Sequence, residues 1–282
     1  MKYLVLFNPY SGNKKGEEFA HKLDEIYYGK TIIYQSMPEV TDFKKILREY
    51  ENIIICGGDG TLNYFVNHIR GIKHKSNIYY FSTGTGNDFH NDVGNNNVVP
   101  YLINKYIENL PIARINDKDY VFLNGIGMGL DGYCCAEGEK YKLIHNKPVN
   151  YTKIALKGLL YDYKPKNAKV IVDGQEYNFK NVLMVSTMKG RYYGGGMMIT
   201  PMQNRLNKEG NLTVAILNKL TTFQTIVNFS SIFKGKHVNK TKLVKFLTGN
   251  KVEVEFDEKV SCQIDGDVIL DVKKYEVESK KI

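Results

Sequence analysis

The sequence predicts an α/β domain followed by a mostly antiparallel β domain, spanning residues 1–118 and 119–282. In the first third, short apolar runs alternate with stretches of helical spacing. Beyond residue 111, strand-like runs dominate, and a helical insert interrupts them once. An alternating β-α-β-α order implies a parallel sheet with helices on its faces, whereas consecutive strands joined by turns imply antiparallel pairing.

Lys2 to Asn8 reads as a first buried strand. From Gly16 to Tyr28 the apolar residues Phe19, Leu23 and Ile26 or Tyr27 share one helical face. Thr31 to Gln35 is a second strand, and Thr41 is suited to cap a helix reaching Tyr50. Asn52 to Cys56 is a third strand, Thr61 to Ile69 a helix, and Asn77 to Ser82 a fourth strand. In the second domain, strands are expected at Ile112–Asn116, Tyr120–Gly125, Ala168–Val172, Glu176–Ser186, Asn211–Leu217, Lys242–Leu247, Val252–Phe256, Val260–Ile264 and Val268–Val277. The helical insert covers roughly Leu130–Tyr163, and Thr221–Phe233 is a further helix, whose apolar spacing fits a core-packed amphipathic helix better than a membrane-facing one. Asp173-Gly174 is a two-residue hairpin signal. The final strands are free to return to the first domain.

Composition narrows the function classes. At 43% hydrophobic residues with 7 prolines, the chain has material for a core and no signature of disorder. No charge-free apolar window is long enough for a membrane span, and the apolar run at Tyr3–Phe7 is too short for a signal peptide. The four cysteines have no metal-site spacing, which fits a reduced, cytoplasmic interior. Net charge is +9, yet only five of the 39 basic residues are arginine. Nucleic-acid readers lean on arginine for bidentate contacts, so a lysine-rich surface fits an anionic membrane face or phosphates better than nucleic acid.

Three glycine-rich turns follow strands: Asn8–Gly16 (NPYSGNKKG), Gly57–Thr61 (GGDGT) and Ser82–Phe89 (STGTGNDF). In a parallel sheet all three fall at the carboxyl ends of strands, where ligands of such sheets bind. Glycine permits close approach of a ligand, and successive backbone N–H groups make an anion-binding concavity. Lys14 and Lys15 add full positive charge. A carboxylate such as Asp59 repels phosphate unless a cation intervenes, which points to Mg²⁺. Asp88 on the third turn and Asp131 in GMGLDG are candidates for the same network. Each aspartate taken singly also reads as a helix or turn cap. The Walker pattern is absent, because Asp24 stands where the GKT at Gly29–Thr31 would need a glycine. Gly127–Gly132 matches G-x-G-x-x-G, but it comes outside a βαβ unit, which argues against dinucleotide binding.

NPYSG, GGDGT and GTGNDF in this order resemble the diacylglycerol kinase catalytic domain, as do GMGLDG, GGGMMITP (Gly194–Pro201) and IDGD (Ile264–Asp267). The resemblance spans nearly the whole chain and is nearest to bacterial lipid kinases without a membrane span, a group that includes sphingosine- and ceramide-kinase-like enzymes. It implies a nucleotide-binding α/β domain and a C-terminal antiparallel β-sandwich. It implies that Asn8, Ser11, Gly12, Lys14 and Lys15 line an ATP site, and that Gly57, Gly58, Gly60, Thr61, Gly84, Thr85 and Asn87 cradle phosphates. Asp59, Asp88 and Asp131 would organise Mg²⁺, with Asp59 and Asp131 counted in the catalytic set. Asp267 would be the general base that takes a proton from the lipid hydroxyl, with Asp265 and Gly266 shaping its turn.

The chain departs from the family pattern at several positions. Asp267 replaces the usual Glu, Tyr64 follows GGDGTLN, His90 follows NDF, and Glu209-Gly210 stands where relatives place Asp-Gly beside a structural Mg²⁺. Tyr192, Tyr193, Met197 and Met198 border either a lipid entrance or ordinary core. The expected partner is a lipid substrate at the inner membrane face, reached peripherally, and an exposed sheet edge could pair two subunits into a homodimer. An NAD kinase-like enzyme and a non-catalytic nucleotide- or lipid-binding regulator stay open as alternatives.

Overall fold

Five of the six residues of the apolar run Lys2–Phe7 are buried, and they form strand β1 at the heart of a parallel sheet. The fold is taken from a computed structural model, which describes residues 2–84, 86–94, 99–145, 147, 149–218, 221–240 and 242–281. The chain divides into two units, Met1–Glu108 and Asn109–Ile282. The division falls about ten residues before the position the sequence pattern suggests. The physical reason is β6 (Ile112–Ile115), which pairs with β14 (Asp267–Glu278) and with β7 (Lys118–Val121). Both β6 and the last strands therefore belong to the second unit.

In the first unit the strand order is β2-β1-β3-β4-β5, with β2 at Thr31–Ser36, β3 at Asn52–Gly57, β4 at Asn77–Ser82 and β5 at Tyr101–Leu102. All pairings are parallel except β4 with β5. All six β3 residues are buried, as a central strand covered on both faces requires. The helices are α1 (Ser11–Lys14), α2 (Gly16–His21), α3 (Leu23–Ile26), α4 (Phe43–Glu49), α5 (Asp59–Ile69), α6 (Asp88–Val93) and α7 (Asn104–Ile107). The single helix expected over Gly16–Tyr28 is broken at Lys22, whose N–H bonds Phe19 O at 3.3 Å and tightens the turn. Asp42, not Thr41, caps α4, accepting the Lys45 N–H at 2.9 Å.

The second unit is antiparallel. Strand β8 (Gly125–Gly129) pairs with β10 (Gln175–Met188) and β13 (Lys251–Ile264), and β9 (Lys166–Val172) pairs with the same two strands. The four strands close into a ring, so the expected sandwich is a small barrel with extra strands. Register shifts at Phe179/Val182 and Glu255/Val260 let the two long strands bend around it. The second shift also fuses two expected strands into one continuous β13. Strands β11 (Leu212–Asn218) and β12 (Val244–Gly249) extend the sheet beyond β10. Phe122, Val170, Val254, Phe256 and Tyr275 lie in the core. The Asp173-Gly174 hairpin forms as its sequence predicts, with both residues at positive φ (48° and 85°).

Helix α8 (Leu130–His145) leaves β8 directly and is followed by α9 (Tyr151–Lys157) and a π turn at Gly158–Asp162. The glycines of GMGLDG are there for packing. A Cβ on Gly132 would lie 1.9 Å from Ser261 O, and one on Gly129 would lie 2.4 Å from Leu183 O. Both obstacles are backbone, which has little room to shift. Gly132→Ala is expected to lower stability by at least about 2–3 kcal/mol, read from the urea midpoint. A wild-type midpoint in this variant would mean that α8 does not sit as described.

Candidate functional site

The register of the first sheet brings the three glycine turns together. Phe7 lies beside Cys56 and Gly57 beside Ser82, so the turns after β1, β3 and β4 leave neighbouring strand ends. Each glycine in the second turn has a separate job. A Cβ on Gly57 would strike Thr61 at 2.5 Å, so that glycine lets α5 start directly on the strand. A Cβ on Gly84 would lie 2.7 Å from Gly58 Cα, so the second and third turns touch backbone to backbone. A Cβ on Gly60 meets nothing within 4 Å, and this exposed residue borders open space at the first turn of α5. The first turn joins through Asn8, whose Nδ2 donates to Thr61 Oγ1 at 3.3 Å. Asn8 O accepts from Ser11 Oγ at 2.8 Å and Asn8 Oδ1 from the Tyr10 N–H at 3.0 Å. Gly12 takes a left-handed φ of 54°, and Lys14 and Lys15 are exposed beside it.

Asp59 ties the second turn to the third. Its Oδ2 accepts the Asp88 N–H at 2.8 Å and its Oδ1 the Phe89 N–H at 2.9 Å. These are the first N–H groups of α6, so the carboxylate caps that helix from another turn. Asp88 is buried at the same helix start. Asn87 adopts left-handed φ and its Oδ1 accepts from Ser82 Oγ. Thr85 lies outside the described residues. His90 is partly buried, and desolvation lowers its pKa. Tyr64 is exposed and stacks on His68 with centroids 4.0 Å apart.

The second unit holds the remaining motif residues. Asp131 is buried. Its Oδ1 accepts the Gly132 N–H at 2.9 Å, and its Oδ2 faces Ser186 Oγ at 3.3 Å and Tyr193 Oη at 3.4 Å. Burial pushes its carboxyl up to about 6. Tyr193 therefore belongs to the core, whereas Tyr192 is half-buried and Met197 packs partly against the same cluster. Asp265 and Gly266 form a two-residue turn of positive φ between β13 and β14. Asp265 accepts the N–H groups of Leu123, Asn124 and Gly125, at 2.5, 2.8 and 3.0 Å. Asp267 opens β14 at the exposed end of this turn, and desolvation raises its pKa against the opposing charge of Lys142. Glu209 pairs with Lys281 at 2.7 Å, while a Cβ on Gly210 would strike Lys280 O at 2.1 Å. That turn thus holds the C-terminal strand end.

The glycine edge fits a nucleotide's phosphates, since Gly60 leaves open space at the first turn of α5. Among the described residues, no group of three His, Cys, Asp or Glu side chains is placed to hold a metal ion. Within the first unit Asp59 and Asp88 are brought together, whereas Asp131 belongs to the second. Each Asp59 oxygen retains acceptor capacity beyond the one bond it makes, so Mg²⁺ fits here through bound water and phosphate oxygens.

Sequence reasoning missed one cluster. Lys189 is 1 % exposed, and its Nζ has no hydrogen-bond partner. Nearby, Arg205 donates to Leu123 O at 2.5 Å and to Asn124 Oδ1 at 2.8 Å. Leu123–Gly125 is thus held by Asp265 through its N–H groups and by Arg205 through a carbonyl. Burial, aided by Arg205, lowers the Lys189 pKa to about 8.

A glycine-lined α/β edge followed by an antiparallel barrel is the two-unit arrangement that the family models match in turn. The diacylglycerol kinase catalytic domain matches residues 2–113, and the YegS C-terminal NAD kinase beta sandwich-like domain matches residues 124–277. The chain belongs to the bacterial lipid kinase family that joins these two domains. A diacylglycerol kinase of Bacillus subtilis (strain 168) is 25% identical over 281 residues, covering 93% of this chain and 88% of that protein. A diacylglycerol kinase of Mycobacterium tuberculosis (strain ATCC 25618 / H37Rv) is 23% identical, covering 84% and 80%. Among solved structures, a diacylglycerol kinase from Bacillus anthracis str. Sterne aligns with TM-score 0.61 at 18% identity, covering 99% of this chain and 93% of that one. Yeast NADH kinase complexed with NADH aligns with TM-score 0.50 at 12% identity, covering 99% and 80%, a likeness of fold.

An unpaired buried ammonium opposes folding while it is charged. Lys189 is protonated in both folded and unfolded chains at neutral pH, so the full penalty applies there. Above the folded value of about 8 the penalty falls, and it vanishes past the unfolded value of 10.5. Lys189→Met is expected to raise stability at pH 7 by about 2–3 kcal/mol, with the gain shrinking as pH rises from 8 to 10.5. Urea titrations across that range check both magnitude and sign. A gain independent of pH would contradict the assignment.

Proposed function

We propose that the protein transfers the γ-phosphoryl group of ATP to a free hydroxyl of diacylglycerol or a closely related lipid. The observation that carries this is the junction of three glycine turns at one sheet edge, held by Asp59 and by the Gly58–Gly84 contact. The family supports lipid as acceptor, and the diacylglycerol kinases among its relatives support that lipid first. ATP would bring the phosphoryl group, and Mg²⁺ bound with it would shield the phosphate charge.

The chain's own residues do the rest. Gly57, Gly58, Gly60 and Thr61 present backbone to the phosphates, and Gly84 and Asn87 shape the adjoining wall. Lys14 and Lys15 add charge at the mouth. Asp59 fixes the two turns in register, so the donors are oriented before the nucleotide arrives. Asp267 takes the proton from the attacking hydroxyl. Its raised pKa makes it a stronger base than an ordinary aspartate. Among the described residues, no helix is long and apolar enough to cross a membrane. The enzyme in this reading works in the cytoplasm and meets its lipid peripherally, at the inner membrane face.

The test presents purified protein with labelled ATP, Mg²⁺ and mixed micelles of diacylglycerol, monoacylglycerol, sphingosine or ceramide, with NAD in parallel. Label is expected in diacylglycerol and is lost in Asp59→Ala. Label in NAD alone, or ATP binding with no product, would overturn the reading.

Asp267→Asn is expected to lower kcat by about 10²–10⁴ with little change in ATP affinity. In the wild type the rate should fall as acidification protonates Asp267, at a pH above the ordinary 3.8. The pH–rate profile of the variant should lack this acid limb.

A further inference from the structure

The second unit carries a surface that the phosphotransfer reading does not use. Helix α10 (Thr222–Phe233) follows β11 and is closed at its start by a capping box between Thr221 and Gln224. Its inner face buries Thr225 and Ile232, which help line an apolar crevice with Leu130, Leu159, Leu183 and Leu243. Its outer face is also apolar. Phe223 is 76% exposed and Val227 57% exposed, and they stand one turn apart. Lys234 continues the stripe, and the three fall within about 40° of one another around the helix axis. The π turn beside α10 adds exposed Leu160 and Tyr161.

The charge of the segment that carries this helix is one-sided. From Gly210 to Val252 the chain carries seven lysines and no aspartate or glutamate. Lys234, Lys236 and Lys242 are exposed. The basic turn after α10 is firmly held: Gly235 is packed so closely that a Cβ would lie 2.8 Å from Pro201, and His237 Nε2 lies 2.8 Å from Ile199 O. The one acid on the neighbouring π turn, Asp162, is paired with Lys157 at 3.0 Å. Exposed aromatic and aliphatic tips in a lysine-rich segment without acids are the pattern of a helix lying in an anionic lipid interface. A protein partner would more commonly be met by mixed charge around the apolar centre.

We propose that α10 and the basic turn behind it dock the protein on anionic bilayers, with Phe223 and Val227 entering the interface and the lysines facing lipid phosphates. This rests on the lipid-kinase reading for its biological sense, but the surface is read independently of catalysis. It names the face by which the chain meets a membrane.

The experiment is sedimentation of the full chain with vesicles of phosphatidylcholine alone or mixed with phosphatidylglycerol, at low and raised salt. Wild type is expected to bind the anionic vesicles and to be released by salt. Phe223→Ser/Val227→Ser should weaken binding at least about ten-fold. Lys234→Gln/Lys236→Gln should weaken it by roughly five-fold per lysine. Both variants should keep the wild-type melting temperature and the wild-type rate on a dispersed short-chain diacylglycerol. The lysine variant keeps the test decisive should the apolar one fail to fold. Equal binding to neutral vesicles, or unchanged binding in a folded variant, would overturn the proposal. So would a wild-type dimer that Phe223→Ser/Val227→Ser makes monomeric without affecting vesicle binding. Vesicle binding without phosphotransfer to any lipid would sink the kinase reading and leave the docking surface standing.

Discussion

The bond from Asp59 to the start of α6 is the constraint on which the first unit's glycine edge depends. One carboxylate accepts two successive N–H groups, those of Asp88 and Phe89, from a turn on the neighbouring strand. Glycines at 58 and 84 then allow the two turns to touch without side chains between them. Neither feature suffices alone. Without the carboxylate, α6 would lose a partner for its positive end; without the glycines, the turns could not close to bonding distance. The second unit uses the same device at Asp265, whose carboxylate gathers three backbone N–H groups from Leu123–Gly125. In both places an aspartate occupies the kind of N–H cluster that would otherwise attract a phosphate.

The pattern of strands in the first unit was legible because a central parallel strand must be apolar throughout, as Ile53–Cys56 is. The three glycine turns were legible for a similar reason: glycine clusters at strand ends are rare without a use. What each glycine does was not legible. Gly57 makes room for Thr61, four residues on, but Gly58 answers to Gly84 in another turn. Long-range partners of this kind leave no local signal. Arg205 and Leu123, 82 residues apart, illustrate the same limit, as does β6, whose own four residues do not say that their partner is β14. The break in α2–α3 and the fusion of two strands into β13 turn on bonds and bulges, which periodicity does not register.

Buried charge is distributed unevenly between the units. Asp131 and Lys189 both lie within the barrel unit, and burial drives each toward its neutral form, the acid upward and the base downward. Asp131 is compensated by Gly132, Ser186 and Tyr193, which explains how a carboxylate is tolerated among apolar neighbours. Gly127 belongs to the same arrangement, because a Cβ there would lie 1.9 Å from Asp131 Oδ2. The G-x-G-x-x-G pattern is thus accounted for by α8 packing and by one buried acid. Lys189 has no such compensation from hydrogen bonds, and it sits where Asn124 O also accepts the backbone N–H groups of Lys189 and Gly190.

The acids of the motifs therefore separate into two kinds. Asp59 and Asp265 have both carboxylate oxygens engaged by backbone donors, and Asp131 is buried among its own partners. Asp267 differs from all three in its exposure at the turn, where a substrate hydroxyl has access to it, and desolvation raises its pKa. Its location follows from its neighbour. Asp265 pins the hairpin to Leu123–Gly125, Gly266 supplies the positive φ of 96° that a tight turn demands, and Asp267 is the first residue beyond the pin. The shorter side chain is thus carried on a turn whose backbone is pinned through Asp265 by three hydrogen bonds to one segment, so the hairpin does much to set where its carboxylate lies.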